Sequence, residues 1–177
     1  LMRPPRKPLF RSSPMTPNNG GHVNIYGLLL GTDNASLQII GSGHTTVLNG
    51  NISMAGNVDI NDALVVDGSR SITSTGGNVT IGLPSGTIDG NGDATPDDLV
   101  INAAGSVSVR GAIGGVSGNG LRNLTINAQS ITFDGAVTVS AGQLVGKDGA
   151  PLGSATGGTT VANGASLYLY KASGDIT

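Results

Sequence analysis

The sequence predicts an all-β protein wound as a coil of stacked parallel strands, a β-solenoid with about 20 residues per rung. Three observations predict it: apolar residues paired at i and i+2, similar units recurring near 20 residues, and many turn-forming Asn-Gly and Asp-Gly steps. The composition agrees, since the 177 residues include 30 Gly, three Tyr, two Phe, no Trp and no Cys, and every one of the 11 acids is Asp. Gly in a helix interior costs about 1 kcal/mol relative to Ala, so essentially no helix is expected.

Residues 1–17 stand apart. They hold five of the eight Pro and four of the nine cations (Arg3, Arg6, Lys7, Arg11), too polar and too rich in Pro to pack a core. They are expected to form a flexible basic tail, with the solenoid occupying 18–177. Beyond the tail, apolar pairs follow in order: Val23/Ile25, Leu37/Ile39, Ile52/Met54, Val58/Ile60, Leu64/Val66, Val79/Ile81, Leu99/Ile101, Val107/Val109, Leu124/Ile126, Ile131/Phe133, Val137/Val139 and Leu167/Leu169. A period of two marks strands. Even Leu121 to Asp134, the stretch least broken by Gly, alternates rather than repeating at helical spacing.

Val58, Val79, Leu99 and Leu124 open similar units (NVDIND, NVTIG, DLVINAAG, NLTINAQS) separated by 21, 20 and 25 residues, and the longest step holds GVSGNG, read as an inserted loop. Strands begin near 124, 131, 137 and 144, so three short strands fill a rung. A unit this short cannot bury its own apolar face and closes a core only by stacking on its neighbours. At about 4.8 Å per rung, seven or eight rungs would make a rod about 35 Å long. Nine Asn-Gly or Asp-Gly steps, at 19, 49, 67, 89, 91, 119, 134, 148 and 163, punctuate the strands. They suit two-residue hairpins or the corners of a coil, where a left-handed φ bends the chain. The repeat favours corners, which require sheet partners about 20 positions apart. Thr80, Ser108, Thr125, Thr132 and Thr138 are expected to face solvent.

The stretch from about Asn51 to Leu144, above all LVINAAGSVSVRGAIGG and LRNLTINAQSITFDGAVTVSAGQL, resembles the β-strand repeats of large bacterial surface proteins, the autotransporter passengers and filamentous-haemagglutinin-type adhesins. That resemblance implies a right-handed parallel β-helix exported across the bacterial envelope, at the cell surface or outside the cell. It carries no set of functional residues with it. A complete autotransporter also has a signal peptide and a membrane barrel, neither of which this sequence shows.

The chemistry on offer is sparse. Absence of Cys excludes thiol nucleophiles and Cys-ligated zinc; the formal charge of −2 and the few aromatics argue against nucleic-acid binding. No apolar run approaches the roughly 20 residues of a membrane-spanning helix. The densest polar cluster, Asp89 to Asp98, is the one candidate metal site: Asp89, Asn91 and Asp93 match the opening of an EF-hand-like calcium loop, with Asp97 or Asp98 as a further ligand. Ala94 and Val100 then depart from the Gly and Glu that such a loop requires. No other cofactor is expected. A glycosidase needs two carboxyl groups about 5 to 10 Å apart, for which Asp59, Asp62 and Asp67 are the candidates, although they read as a solvated face. His22 and His44 read as loop residues, and Gly41-Ser42-Gly43 and Gly90-Asn91-Gly92 lack the further Gly or Lys of a phosphate loop.

The expectation is therefore a non-catalytic structural or adhesive segment, with Gly114 to Gly120, Asp89 to Asp98 and Gly146 to Gly158 as contact loops. The alternative is a carbohydrate-active β-helix, a polysaccharide lyase or glycosidase. Expected partners are a host or matrix surface, glycans, or further copies end to end, because terminal rungs expose unpaired backbone and no amphipathic cap is evident. Truncation from a longer rod is the other way such ends would arise.

Overall fold

The computed structural model describes residues 21–114, 119–139, 143–147 and 159–170. The basic tail 1–17, residues 115–118 of the Gly114–Gly120 insertion and most of the Gly146–Gly158 stretch lie outside them. Every regular element among the described residues is a strand, and every strand pairing is parallel.

The strands stack into three faces. The first holds Leu29–Gly31, Ile52–Met54, Ser69–Ser74, Asp98–Ala103, Asn123–Asn127, Gln143–Lys147 and Ser166–Tyr170. The second holds the leading parts of Leu37–Leu48 and Val58–Val66, then Val79–Ile81, Ser106–Val109 and Ser130–Phe133. The third holds His22–Ile25, the trailing parts of those two long strands, Thr87–Gly90, Ala112–Ile113, Val137–Val139 and Thr159–Val161. Partners lie 18 to 29 positions apart, as in Thr45 beside Ala63 and Ser69 beside Asp98, so the turns are corners of a coil and not hairpins.

Alternation places the aliphatic residues inside. Ile39, Ile60, Leu64, Ile81, Leu99, Ile101, Ile126 and Ile131 are wholly buried and form one continuous core with Ile72, Ile88 and Phe133. Each such side chain contributes about 1.5 to 3 kcal/mol on burial. Column registry does the rest. Leu64, Ile88, Ile113 and Val137 lie one above another on the third face, and Ile52, Ile72, Ile101 and Ile126 on the first. Outward columns are polar, as in Gln38, Asp59, Thr80, Ser108 and Thr132 on the second face.

Three details differ from the sequence expectation. A turn takes about 23 residues rather than 20. The spacing of 20 between Val79 and Leu99 does not join stacked residues. Val79 sits under Val107 on the second face, whereas Leu99 lies between Arg70 and Leu124 on the first. The excursion from Asn91 to Asp97 lengthens that turn and slips the repeat by one face. Third, Asp62 does not belong to a solvated face: it points inward, fully buried, and accepts a hydrogen bond from Thr46 Oγ1 at 3.1 Å and another from the Ala63 amide at 3.0 Å.

Left-handed glycines mark some corners, with φ of +77° at Gly68 and +86° at Gly164, each following an Asp or Asn as the turn chemistry suggests. Gly50 is required for a different reason. A Cβ there would come within 1.7 Å of the Gly27 carbonyl oxygen, because two corners pack backbone to backbone.

Candidate functional site

Two surface features distinguish this rod. The first is the corner from Asp89 to Asp98. Asp97 anchors it: the side chain is 5 % exposed, and its two carboxylate oxygens accept the Gly68 amide at 2.6 Å and the Asn91 amide at 3.0 Å. A carboxylate that replaces water for two amide donors ties the far end of the loop to the preceding rung. Asn91 bridges the loop's mouth, donating through Nδ2 to Asp67 at 3.0 Å and to Asp93 at 2.9 Å, while its Oδ1 accepts the Asp93 amide at 3.0 Å. Asp93 in turn accepts the Thr95 amide at 2.5 Å. The Asn91 side chain, followed by the Thr95 amide, holds the Asp93 carboxyl below the usual carboxylate range.

Asp98 turns to the other side of the chain and joins three rungs. It accepts from Arg122 Nε at 2.9 Å and Asn123 Nδ2 at 2.8 Å, and from Ser69 Oγ at 3.2 Å, with a second Arg122 nitrogen closing a two-pronged ion pair. The Arg122 hydrogen bond foremost, aided by Asn123 and Ser69, lowers the Asp98 pKa against the opposing effect of burial.

Of the five predicted ligands, the fold therefore gathers Asn91, Asp93 and Asp97 into one network and sends Asp98 to a separate ion pair. Asp89 lies on strand Thr87–Gly90 beside Val65, 2 % exposed. Among the described residues no three acidic or histidine side chains form a group able to hold a metal ion. Asp98 faces Arg122 while Asp97 is turned to the Gly68 and Asn91 amides, so the five predicted ligands are not gathered at one point as calcium coordination requires.

The second feature was not read from the sequence. A shallow groove of about 500 Å³ crosses three rungs of the first face, lined by Thr73, Ser74, Thr75, Asn102, Ala103, Ala104, Asn127, Ala128 and Gln129. Ser74 is its most buried lining residue, and Ala103 and Ala128 are half-buried in it. Along it Asn127 Nδ2 donates to Asn102 Oδ1 at 2.8 Å and Asn102 Nδ2 to Thr73 Oγ1 at 3.5 Å. No ionisable group lines it. The recurrence Ile101-Asn102-Ala103 and Ile126-Asn127-Ala128 was its only sequence signal, and it becomes a groove only once the rungs are stacked in register.

The candidate carboxyl pair is dispersed as well. Asp59 faces outward beside Gln38, Asp62 faces the core, and Asp67 belongs to the next corner with Asn91. His22 is exposed at the start of strand His22–Ile25 and His44 half-buried on the long strand Leu37–Leu48, so both are strand residues and not loop residues. In comparisons with known proteins, no family model, curated protein or solved structure matches this chain.

Proposed function

We propose that the chain is a non-catalytic structural and adhesive segment of a bacterial cell-surface or extracellular protein, a stiff spacer that makes contacts through its lateral faces and corner loops. The observation that carries this reading is how the surface polar groups are used. Asn57 and Asn78 each turn Oδ1 to the backbone amide of the next rung, at 2.9 Å to Asn78 and 2.8 Å to Ser106, and Ser36 accepts the Asn57 amide at 2.9 Å. The Thr73, Asn102 and Asn127 row joins rungs on another face side chain to side chain. Polar side chains spent on joining rungs stiffen the rod, and among the described residues no acid–base pair converges.

A carbohydrate-active β-helix has one observation on its side, the neutral amide-lined groove. The lining contains no carboxyl group, so it favours contact with sugars over their hydrolysis. The test pairs two assays. Beads coated with the chain are expected to be held on immobilised polysaccharide or matrix protein, and soluble polysaccharides incubated with it are expected to release no reducing ends. Catalytic release of reducing ends or unsaturated products overturns the spacer reading.

A further inference from the structure

The groove on the first face lies where strands Ser69–Ser74, Asp98–Ala103 and Asn123–Asn127 end, and it is built as a lattice. Thr73, Asn102 and Asn127 stack in one half-buried column. Ser74 pairs with Ala103 in the next, with Ala128 following Asn127, and Thr75, Ala104 and Gln129 form the exposed rim. Each column repeats along the rod axis at about 4.8 Å. The three strands are central ones. Ile52–Met54 pairs with the first of them and Gln143–Lys147 with the last, so each is hydrogen-bonded on both sides.

The lining chemistry narrows the occupant. No charged side chain lines the groove, so an acidic or basic chain meets no counter-charge there. An extended peptide adds to a sheet through an open strand edge, and these three strands offer none. An apolar anchor needs a pocket that encloses it, whereas the apolar groups here are three alanines in an open trough. Hydrogen bonding without charge remains. The amides of Asn102, Asn127 and Gln129 both donate and accept, as do the hydroxyls of Thr73 and Thr75. The bonds from Asn127 to Asn102 and from Asn102 to Thr73 fix the inner row in place, and the Gln129 amide on the rim stands outside that row.

We propose that this groove binds a neutral, extended, β-linked hexose chain of the cellulose or mannan type, laid parallel to the rod axis. One sugar ring of such a chain advances about as far as one rung, so its hydroxyls meet the same column on successive turns while ring C–H groups rest against the alanine methyls. An α-linked chain coils and loses the match. The inference rests on the spacer reading above and names a partner for one of its faces. With no aromatic platform in the lining, each contact is weak, and many rods on one long polysaccharide supply the hold through multivalency.

Side-chain amide signals in heteronuclear NMR of the full chain test this directly. Titration with cellohexaose or mannohexaose is expected to shift the amides of Asn102, Asn127 and Gln129, and maltohexaose and oligogalacturonate are expected to leave them in place. Gln129→Ala, at an exposed position, is expected to weaken binding about threefold to tenfold, the worth of one neutral hydrogen bond, while Thr132→Ala on the second face changes nothing. Equal shifts with maltohexaose overturn the axial match, and equal shifts with oligogalacturonate overturn the preference for a neutral chain. A folded chain whose groove signals stay fixed with every hexaose, yet which still adheres to matrix protein, overturns the groove and leaves the spacer reading intact. Cleavage of the hexaoses sinks the spacer reading itself.

Discussion

The turn that begins at Val58 and the turn that begins at Ser69 solve one problem with different chemistry. Between Val58 and Val79 the step is 21 residues, and an asparagine just before each strand hands its side-chain oxygen to the next rung. Between Ser69 and Asp98 the step is 29, and buried or half-buried aspartates replace the asparagines, Asp97 receiving two amides and Asp98 an arginine. Uniform rungs need only neutral ladders. The excursion from Asn91 to Asp97 is also crossed by a neutral link, the Ser106 amide to Asn78 Oδ1 over 28 positions, but the corner at its root adds charge-assisted anchors that hold the extra residues against their entropy.

The comparison can be broken most severely through the core that both turns share. Ile126→Asp, at a fully buried position, is expected to cost about 4 kcal/mol or more and to abolish cooperative thermal unfolding, while Thr125→Asp leaves the transition nearly in place. Next, Asp97→Ala orphans two amides and is expected to cost about 2 to 4 kcal/mol, read by denaturant unfolding, with hydrogen exchange accelerated first at Gly68 and Asn91. Asn78→Ala removes an acceptor of both the Ser106 amide and its hydroxyl and is expected to cost about 1 to 2 kcal/mol, with faster exchange at Ser106. If Asn78→Ala proves costlier than Asp97→Ala, the long corner is not the anchored one.

The smallest effect is in pH. The Asp98 carboxyl has its pKa lowered in the folded chain, so its contribution is full above its unfolded value near 3.9 and is lost as pH falls through the folded value. The acid-unfolding midpoint is expected to rise slightly in Arg122→Ala and to move less when salt is added. Both shifts should be modest, because the Arg122 side chain is half exposed.

Most of the fold was legible because parallel stacking writes itself into the chain twice, as alternation within a strand and as recurrence between turns. Ile72, Ile88 and Ile113 were nevertheless missed as core residues. Each stands without an apolar neighbour two places on: Ser74 follows Ile72 and bonds inward to the Gly56 carbonyl at 2.7 Å, and Gly90 follows Ile88. Corner lengths were equally hidden, since a loop of any size returns the chain to the same column. At the candidate calcium loop the aspartates were visible but their partners were not. Gly68 and Arg122, 29 and 24 positions away from Asp97 and Asp98, decide what those carboxylates do.

Strands Leu37–Leu48 and Val58–Val66 run unbroken around the corner between the second and third faces, whereas from Val79 onward that corner is cut by glycines such as Gly82 and Gly111. Under tension between its ends the rod would not yield evenly. The turns with a severed corner would peel away one at a time, and the early turns, seamed across two faces, would let go last, so a solenoid of this build gives way in graded steps from one direction.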